Sequence, residues 1–250
     1  MRRNELIGWL DAYLDIHAFN DSSLNGLQVE GDDEVTKVAF GVDGSYNTIE
    51  KAIEAGAQLL IVHHGLFWGK EQPVVKMLKN RLKLALENDL NIYACHLPLD
   101  AHQEVGNNWG LARELGLRDL EGFVEVDGRP LGVKGRLPQP RTLADLAEHI
   151  EKVVGEQVLV HAGGHDPVAT LGIVSGGAAG AVLDAADAGL DAFLTGEPKH
   201  DTFYYSYEVK VSSLFAGHYM TETVGVKLLA AKLETTFGLE TEFLLMPTGL

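Results

Sequence analysis

Leu6, Trp9, Leu10, Tyr13 and Leu14 recur three and four residues apart, which predicts a helix over 4–17 with one apolar face. A turn rich in Gly, Asn and Ser follows, and the apolar run 35–42 reads as a strand. Residues 48–55 return to helical spacing and stop at Gly56; residues 58–62 then form a buried strand that runs into His63 and His64. A helix over 74–88, a strand over 91–95 and a helix from Asn107/Asn108 to Leu115, stopped by Gly116, complete the first half.

The order then recurs, with a helix over 142–154, strands over 157–161 and 169–174, a helix over 181–188 closed by Gly189, and a strand over 191–194. A later apolar strand leads to Ala216-Gly217-His218, and Val224, Leu228, Leu229 and Leu233 predict a helix starting near Thr221. At an offset of 133, Val38–Gly44 meets Leu171–Gly177 and Ala55-Gly56 meets Ala188-Gly189; at 122, His96 meets His218 and Asp100 meets Glu222. Preserved order makes an internal duplication the better account. Two α/β repeats follow, 1–122 and 123–250, joined around 123–140, with mixed and largely parallel sheets. Ligands of such sheets collect where strands end and helices begin.

Composition narrows the function classes. The 250 residues carry 46% hydrophobic and 22% charged residues, ordinary globular values. No apolar run approaches the roughly 18 residues that span a bilayer, and the N-terminus shows no signal-peptide core, so a cytoplasmic protein without membrane contact is expected. A net charge of −16 with no basic run disfavours nucleic acid polymers; the four cations over 76–83 read as a solvated helix face. A small phosphorylated ligand at a metal centre stays compatible with that charge. The single cysteine, Cys95, excludes an internal disulfide and a thiolate zinc finger, and its apolar strand points to a buried, unreactive thiol.

The chemistry-bearing residues stand at strand ends. His63 and His64 reach one site only if the chain turns there, a turn Gly65 can supply; alone, the pair fits metal binding or core hydrogen bonding. His96-Leu-Pro-Leu-Asp100 is expected as a loop, because Pro98 blocks an immediate helix, and Asp100 is open to a capping role. Glu222, in a first helical turn, is placed equally for the helix dipole. Taken together, a His-His pair and a His-x3-carboxylate pair in each repeat change the weighting. Imidazoles and two carboxylates with no thiolate suit Zn, Mn, Fe or Ni, and bridging carboxylates suit two ions. Thr195-Gly196-Glu197 replaces Val62-His63-His64 in the second repeat, and Glu197 reads either as a ligand to a substrate amine or the site's water, or as an exposed loop acid. Ser175–Gly180 reads as a tight turn or as a phosphate-facing loop, without matching a P-loop.

Ser23–Val29, Leu60–Trp68, His96–His102, Leu194–Glu197 and Gly217–Glu222, in order along the chain, resemble the Nif-three-like family (NGG-one-interacting factor three homologues), often labelled GTP cyclohydrolase I type 2. The resemblance implies two intertwined α/β halves with a dinuclear metal site between them and a ring-shaped hexamer. It places the ligands of two divalent ions on His63, His64, Asp100, His218 and Glu222. His96 lies beside that set, where it would orient a ligand or move a proton, and Glu197 is the second candidate for proton transfer. No large insertion separates the repeats, as in the short, bacterial-like form. The expected activity is metal-dependent hydrolysis of a small nucleotide-like molecule; the alternative is a metal-binding regulatory or storage ring without catalysis.

Overall fold

The computed structural model describes residues 1–250. Leu6, Leu10 and Leu14 are all at most 2% exposed on α1 (Arg3–Leu14), packed in one cluster with Leu229 and Leu233. Each such burial is worth about 1.5–3 kcal/mol. The chain continues through β1 (Gly26–Val29), β2 (Lys37–Asp43), α2 (Tyr46–Glu54), β3 (Leu59–His64), α3 (Lys76–Glu87), β4 (Asn91–Ala94), α4 (Leu97–Ala101), α5 (Asn107–Glu114) and β5 (Arg118–Val126). It then runs through β6 (Arg129–Arg141), α6 (Leu143–Val154), β7 (Leu159–His161), β8 (Val168–Ile173), α7 (Val182–Asp187), β9 (Ala192–Thr195), α8 (Tyr205–Val209), β10 (Ser212–Phe215), α9 (His218–Thr221), α10 (Thr223–Phe237) and β11 (Glu240–Phe243). No helix is long and apolar enough to cross a membrane.

Two mixed sheets result, ordered β1-β4-β3-β2-β11 and β5-β6-β8-β9-β10-β7. In the first, β4, β3 and β2 are parallel neighbours with antiparallel β1 beside β4. In the second, β10, β9 and β8 are parallel neighbours with antiparallel β7 beside β10. The four-strand frame is thus the same in both, as duplication requires. The helix-ending glycines repeat too: Gly56 and Gly189 have φ 73° and 67°, and Gly116 and Gly238 the same two values. That left-handed region costs glycine nothing. Outside the frame the sheets differ, because β11 joins β2 in parallel whereas β6 joins β8 antiparallel.

Compactness follows the sheets rather than the sequence halves. One unit comprises Met1–Gly106 with Gly225–Met246, the other Asn107–Val224 with Pro247–Leu250. Each repeat therefore gives its closing helix and strand to the other unit: α5 and β5 to the second, most of α10 and all of β11 to the first. The boundary expected at 122/123 falls inside β5. The connection expected over 123–140 is a long antiparallel hairpin, β5 to β6, turned by Asp127-Gly128 with φ 54° and 74°. Two positive φ values are what a type I′ turn needs, and Asp-Gly supplies them.

Two further expectations change. The segment after His96 is a one-turn helix rather than a loop, with Pro98 in its first turn, where a missing N–H leaves no hydrogen bond unmade. The second-half helix starts at His218 rather than near Thr221, so Glu222 stands at the junction between α9 and α10.

Candidate metal centre

In the first unit the site grows from the ends of β2, β3 and β4. Both His63 and His64 remain in β3, where Asp43 still pairs with His64, and their rings approach to 4.7 Å between centroids. His63 is fully buried and its Nδ1 meets the Cys95 carbonyl oxygen at 2.9 Å. His64 Nδ1 meets Asp43 Oδ1 at 2.9 Å. His96, just past β4, brings Nδ1 to 2.9 Å from Asp21 Oδ1. His63, His64 and His96 offer ligand atoms within 4.8 Å of one another. Asp100, 6% exposed, lies one helical turn beyond His96, with Oδ2 at 3.5 Å from His63 Nε2. The i, i+4 spacing of α4 puts both on one side of that turn.

The second unit holds a smaller, more charged group of its own. His218 Nε2 stands 3.1 Å from Glu222 Oε1, and its Nδ1 stands 3.3 Å from Glu197 Oε2. Glu222 is 3% exposed. Its hydrogen bond does most to hold the His218 pKa up, against the opposing effect of burial, and with the charges of Glu222 and Glu197 the value rises to about 9. A Cβ on Gly176, at φ 67°, would strike the Glu222 carboxylate and crowd the His218 ring, so the close approach depends on glycine.

The Ser175–Gly180 segment is partly engaged within the fold. Ser175 N–H donates to Asn108 Oδ1, Gly176 N–H to Thr221 Oγ1, and Ala178 N–H to Thr195 Oγ1. The Gly176 carbonyl accepts from Gly196 N–H and the Thr195 hydroxyl. The N–H groups of Ser175, Gly176 and Ala178 are thereby engaged inside the fold.

All four imidazoles share one arrangement: Nδ1 faces an acceptor, a carbonyl for His63 and a carboxylate for His64, His96 and His218. An acceptor at Nδ1 fixes the ring and leaves Nε2 as the donor atom for a metal. His102 shows the contrast of a structural histidine, since its Nδ1 accepts from the backbone N–H groups of Glu104 and Val105. Glu197, expected as a proton carrier, stands where it orients His218. Cys95 is buried, and burial pushes its thiol pKa well up, as an unreactive thiol requires.

Several supporting residues escaped the sequence reading. Asp21, with its side chain 2% exposed, accepts from Ser23 N–H, Leu97 N–H and the Asn25 amide besides His96. Burial works against its charge, yet His96 and these donors hold its pKa down to about 2. Asn25 Oδ1 also takes the His96 backbone N–H, and Gln28 Oε1 that of Leu66. Trp68 donates its indole N–H to the Gly65 carbonyl and sets its ring 5.1 Å from that of His96 and 5.8 Å from that of His64. The Asp-x-Ser sequence at 21–23, an Asx-turn pattern, was the one local signal available for Asp21.

Fold and site together define an internally duplicated α/β protein with histidine and carboxylate groups that could hold a metal ion. The chain belongs to the Duf34/NIF3 (NGG1p interacting factor 3) family, whose model matches residues 1–248. It is 49% identical over 248 residues to a Deinococcus radiodurans protein named GTP cyclohydrolase 1 type 2 homolog, covering 99% of this chain and 94% of the relative. A Pyrococcus horikoshii protein of the same name is 43% identical over 251 residues, with both chains fully covered. Among solved structures, TTHA1606 from Thermus thermophilus aligns over all of both chains with 50% identity and a TM-score of 0.91.

Proposed function

We propose that the protein is a hydrolase dependent on two divalent ions, held by His63, His64, Asp100, His218 and Glu222, and that its substrate is a small nucleotide-like molecule. The observation that carries this reading is the anchoring of every imidazole through Nδ1, which a purely structural histidine cluster has no need to repeat four times. The donors fit the ions: imidazole nitrogen and carboxylate oxygen without thiolate suit Zn, Mn, Fe or Ni. When bound, such ions supply Lewis acidity and lower the pKa of water.

The chain's own residues then have separable tasks. Asp43 and Glu197 orient His64 and His218, and the Cys95 carbonyl orients His63. His96, held by the ionised Asp21 through its Nδ1, moves the proton, since that contact leaves its other ring nitrogen facing the site. Relatives named GTP cyclohydrolase 1 type 2 homolog support a nucleotide as the first substrate class to test.

The test is a hydrolysis screen over nucleotides and small phosphoesters, with and without added Mn or Zn, on wild type and Glu222→Gln. A metal-dependent activity that falls at least about a hundredfold in Glu222→Gln is expected, the scale of losing a key charge-stabilising group. An activity that Glu222→Gln retains in full while its metal content falls would sink the two-ion mechanism. Metal binding with no turnover of any substrate would leave the regulatory or storage reading in its place.

A further inference from the structure

Among the four cations over 76–83, Arg81 is set apart by its surroundings. Lys76, Lys79 and Lys83 are exposed on α3, where water solvates them. Arg81 is half-buried and lines a cavity of about 390 Å³ shared with Asp43, Ser45, His64 and Trp68. It makes no ion pair or hydrogen bond, in a chain carrying a net charge of −16. A partly desolvated guanidinium without an anion is unfavourable, and its planar fork suits phosphate oxygens best.

The remaining walls define what accompanies that anion. Trp68 is half-buried, pinned through its indole N–H, and edges a second cavity of about 450 Å³ as well, so its ring is a fixed platform beside His64. Aromatic platforms of this kind take the π-face of a flat ring. Asp43 has one oxygen engaged by His64, and its side chain is 40% exposed. Its charge repels an anion from that end of the cavity, while its other oxygen can accept a ring N–H. The Ser45 hydroxyl caps α2, accepting from Thr48 N–H and sharing a hydrogen bond with the Thr48 hydroxyl.

We infer that this cavity binds a small phosphorylated nitrogen heterocycle, with the phosphate on Arg81 and the ring against Trp68 beside His64. The inference rests on the hydrolase reading for its placement next to the metal ligands, and adds to it the residues that read the substrate. Arg81 is a specificity residue, not a metal ligand, so its loss leaves the ion count intact.

The experiment is calorimetric titration of the metal-loaded full chain with GMP, guanosine and ribose 5-phosphate, alongside metal analysis of each sample. GMP is expected to bind more tightly than either fragment. Arg81→Ala should weaken GMP and ribose 5-phosphate at least tenfold while changing guanosine less than twofold, and Arg81→Lys should fall between. Trp68→Ala should weaken GMP and guanosine and spare ribose 5-phosphate. Circular dichroism of each variant guards against misfolding. Equal GMP affinity in wild type and Arg81→Ala, or no GMP binding by metal-loaded wild type, would overturn the subsite with the ion count unaffected. Absence of metal from wild type would instead overturn the hydrolase reading, and weaker GMP binding in both Arg81→Ala and Trp68→Ala would still uphold the subsite.

Discussion

The same β-α-β frame carries three anchored histidines in the first unit and one histidine between two glutamates in the second. At the offset of 133, His64 corresponds to Glu197 and Asp43 to Gly176. A histidine-and-aspartate pair in one repeat stands as a glutamate and a space-making glycine in the other. Duplication supplied two strand-end platforms; divergence gave one mostly imidazoles and the other two carboxylates around a single imidazole. Arg81 and Trp68 belong to the first, so the proposed substrate subsite also lies there.

The largest effect that would break this contrast is a methyl group on the glycine side. Gly176→Ala forces a left-handed φ on alanine, about 1–3 kcal/mol by itself, and drives Cβ into the Glu222 carboxylate. Urea unfolding should show at least that loss, together with lower metal content. Gly44→Ala, near the matching place in the first repeat, meets the His64 carbonyl at 3.1 Å with no left-handed φ and should cost less.

Next come the orienting carboxylates. Asp43→Asn and Glu197→Gln should each weaken metal affinity by roughly 10–100-fold. Asp43 should matter more, because its contact with imidazole is 2.9 Å against 3.3 Å for Glu197. Competition with a fluorescent chelator measures both.

A proton count sharpens the charge difference. With its pKa raised to about 9, His218 is protonated in the metal-free protein near pH 7.5 and must shed that proton to bind an ion. Calorimetry in buffers of different ionisation enthalpy should show about one proton released on this account. Glu222→Gln removes the strongest cause of the raised value and should shrink the release. Because the folded pKa lies above the unfolded one, the His218 contribution to metal-free stability is complete below about 6.5 and disappears as pH climbs through about 9.

The smallest effect lies at the acid end of the first unit. Asp21 has its pKa lowered to about 2, so its contribution to stability is present above the ordinary carboxylate value and is lost between about pH 4 and 2. Asp21→Asn should flatten that part of an acid-unfolding curve. It should also alter the pH profile of any hydrolysis through His96, which a purely structural role would not do.

Most of the frame was legible because its signals are local. Helical spacing at Leu6, Leu10 and Leu14 and stops at Gly56, Gly116 and Gly189 mark elements without help from distant residues. The β5–β6 hairpin was missed although Asp127-Gly128 spelled its turn, because the flanking strands are largely exposed and carry weak apolar alternation. β1 and β11 are four-residue strands recognisable only by their partners, β4 and β2. The reciprocal exchange of closing elements is a long-range fact that periodicity cannot encode. At the site, His63, His64, His96, His218 and the acids stood out by residue type and repetition. Asp21, Asn25 and Arg81 did not, since each acts through a partner or cavity wall far away in sequence, such as His96 for Asp21 and Trp68 for Arg81.

The central proposal is two ions held by His63, His64, Asp100, His218 and Glu222, and counting metal per chain tests it most directly. Elemental analysis of purified wild type, dialysed against Mn or Zn, should give up to two ions per chain, and both His63→Ala and His218→Ala should lower that number. Unchanged metal content in both variants would contradict the account.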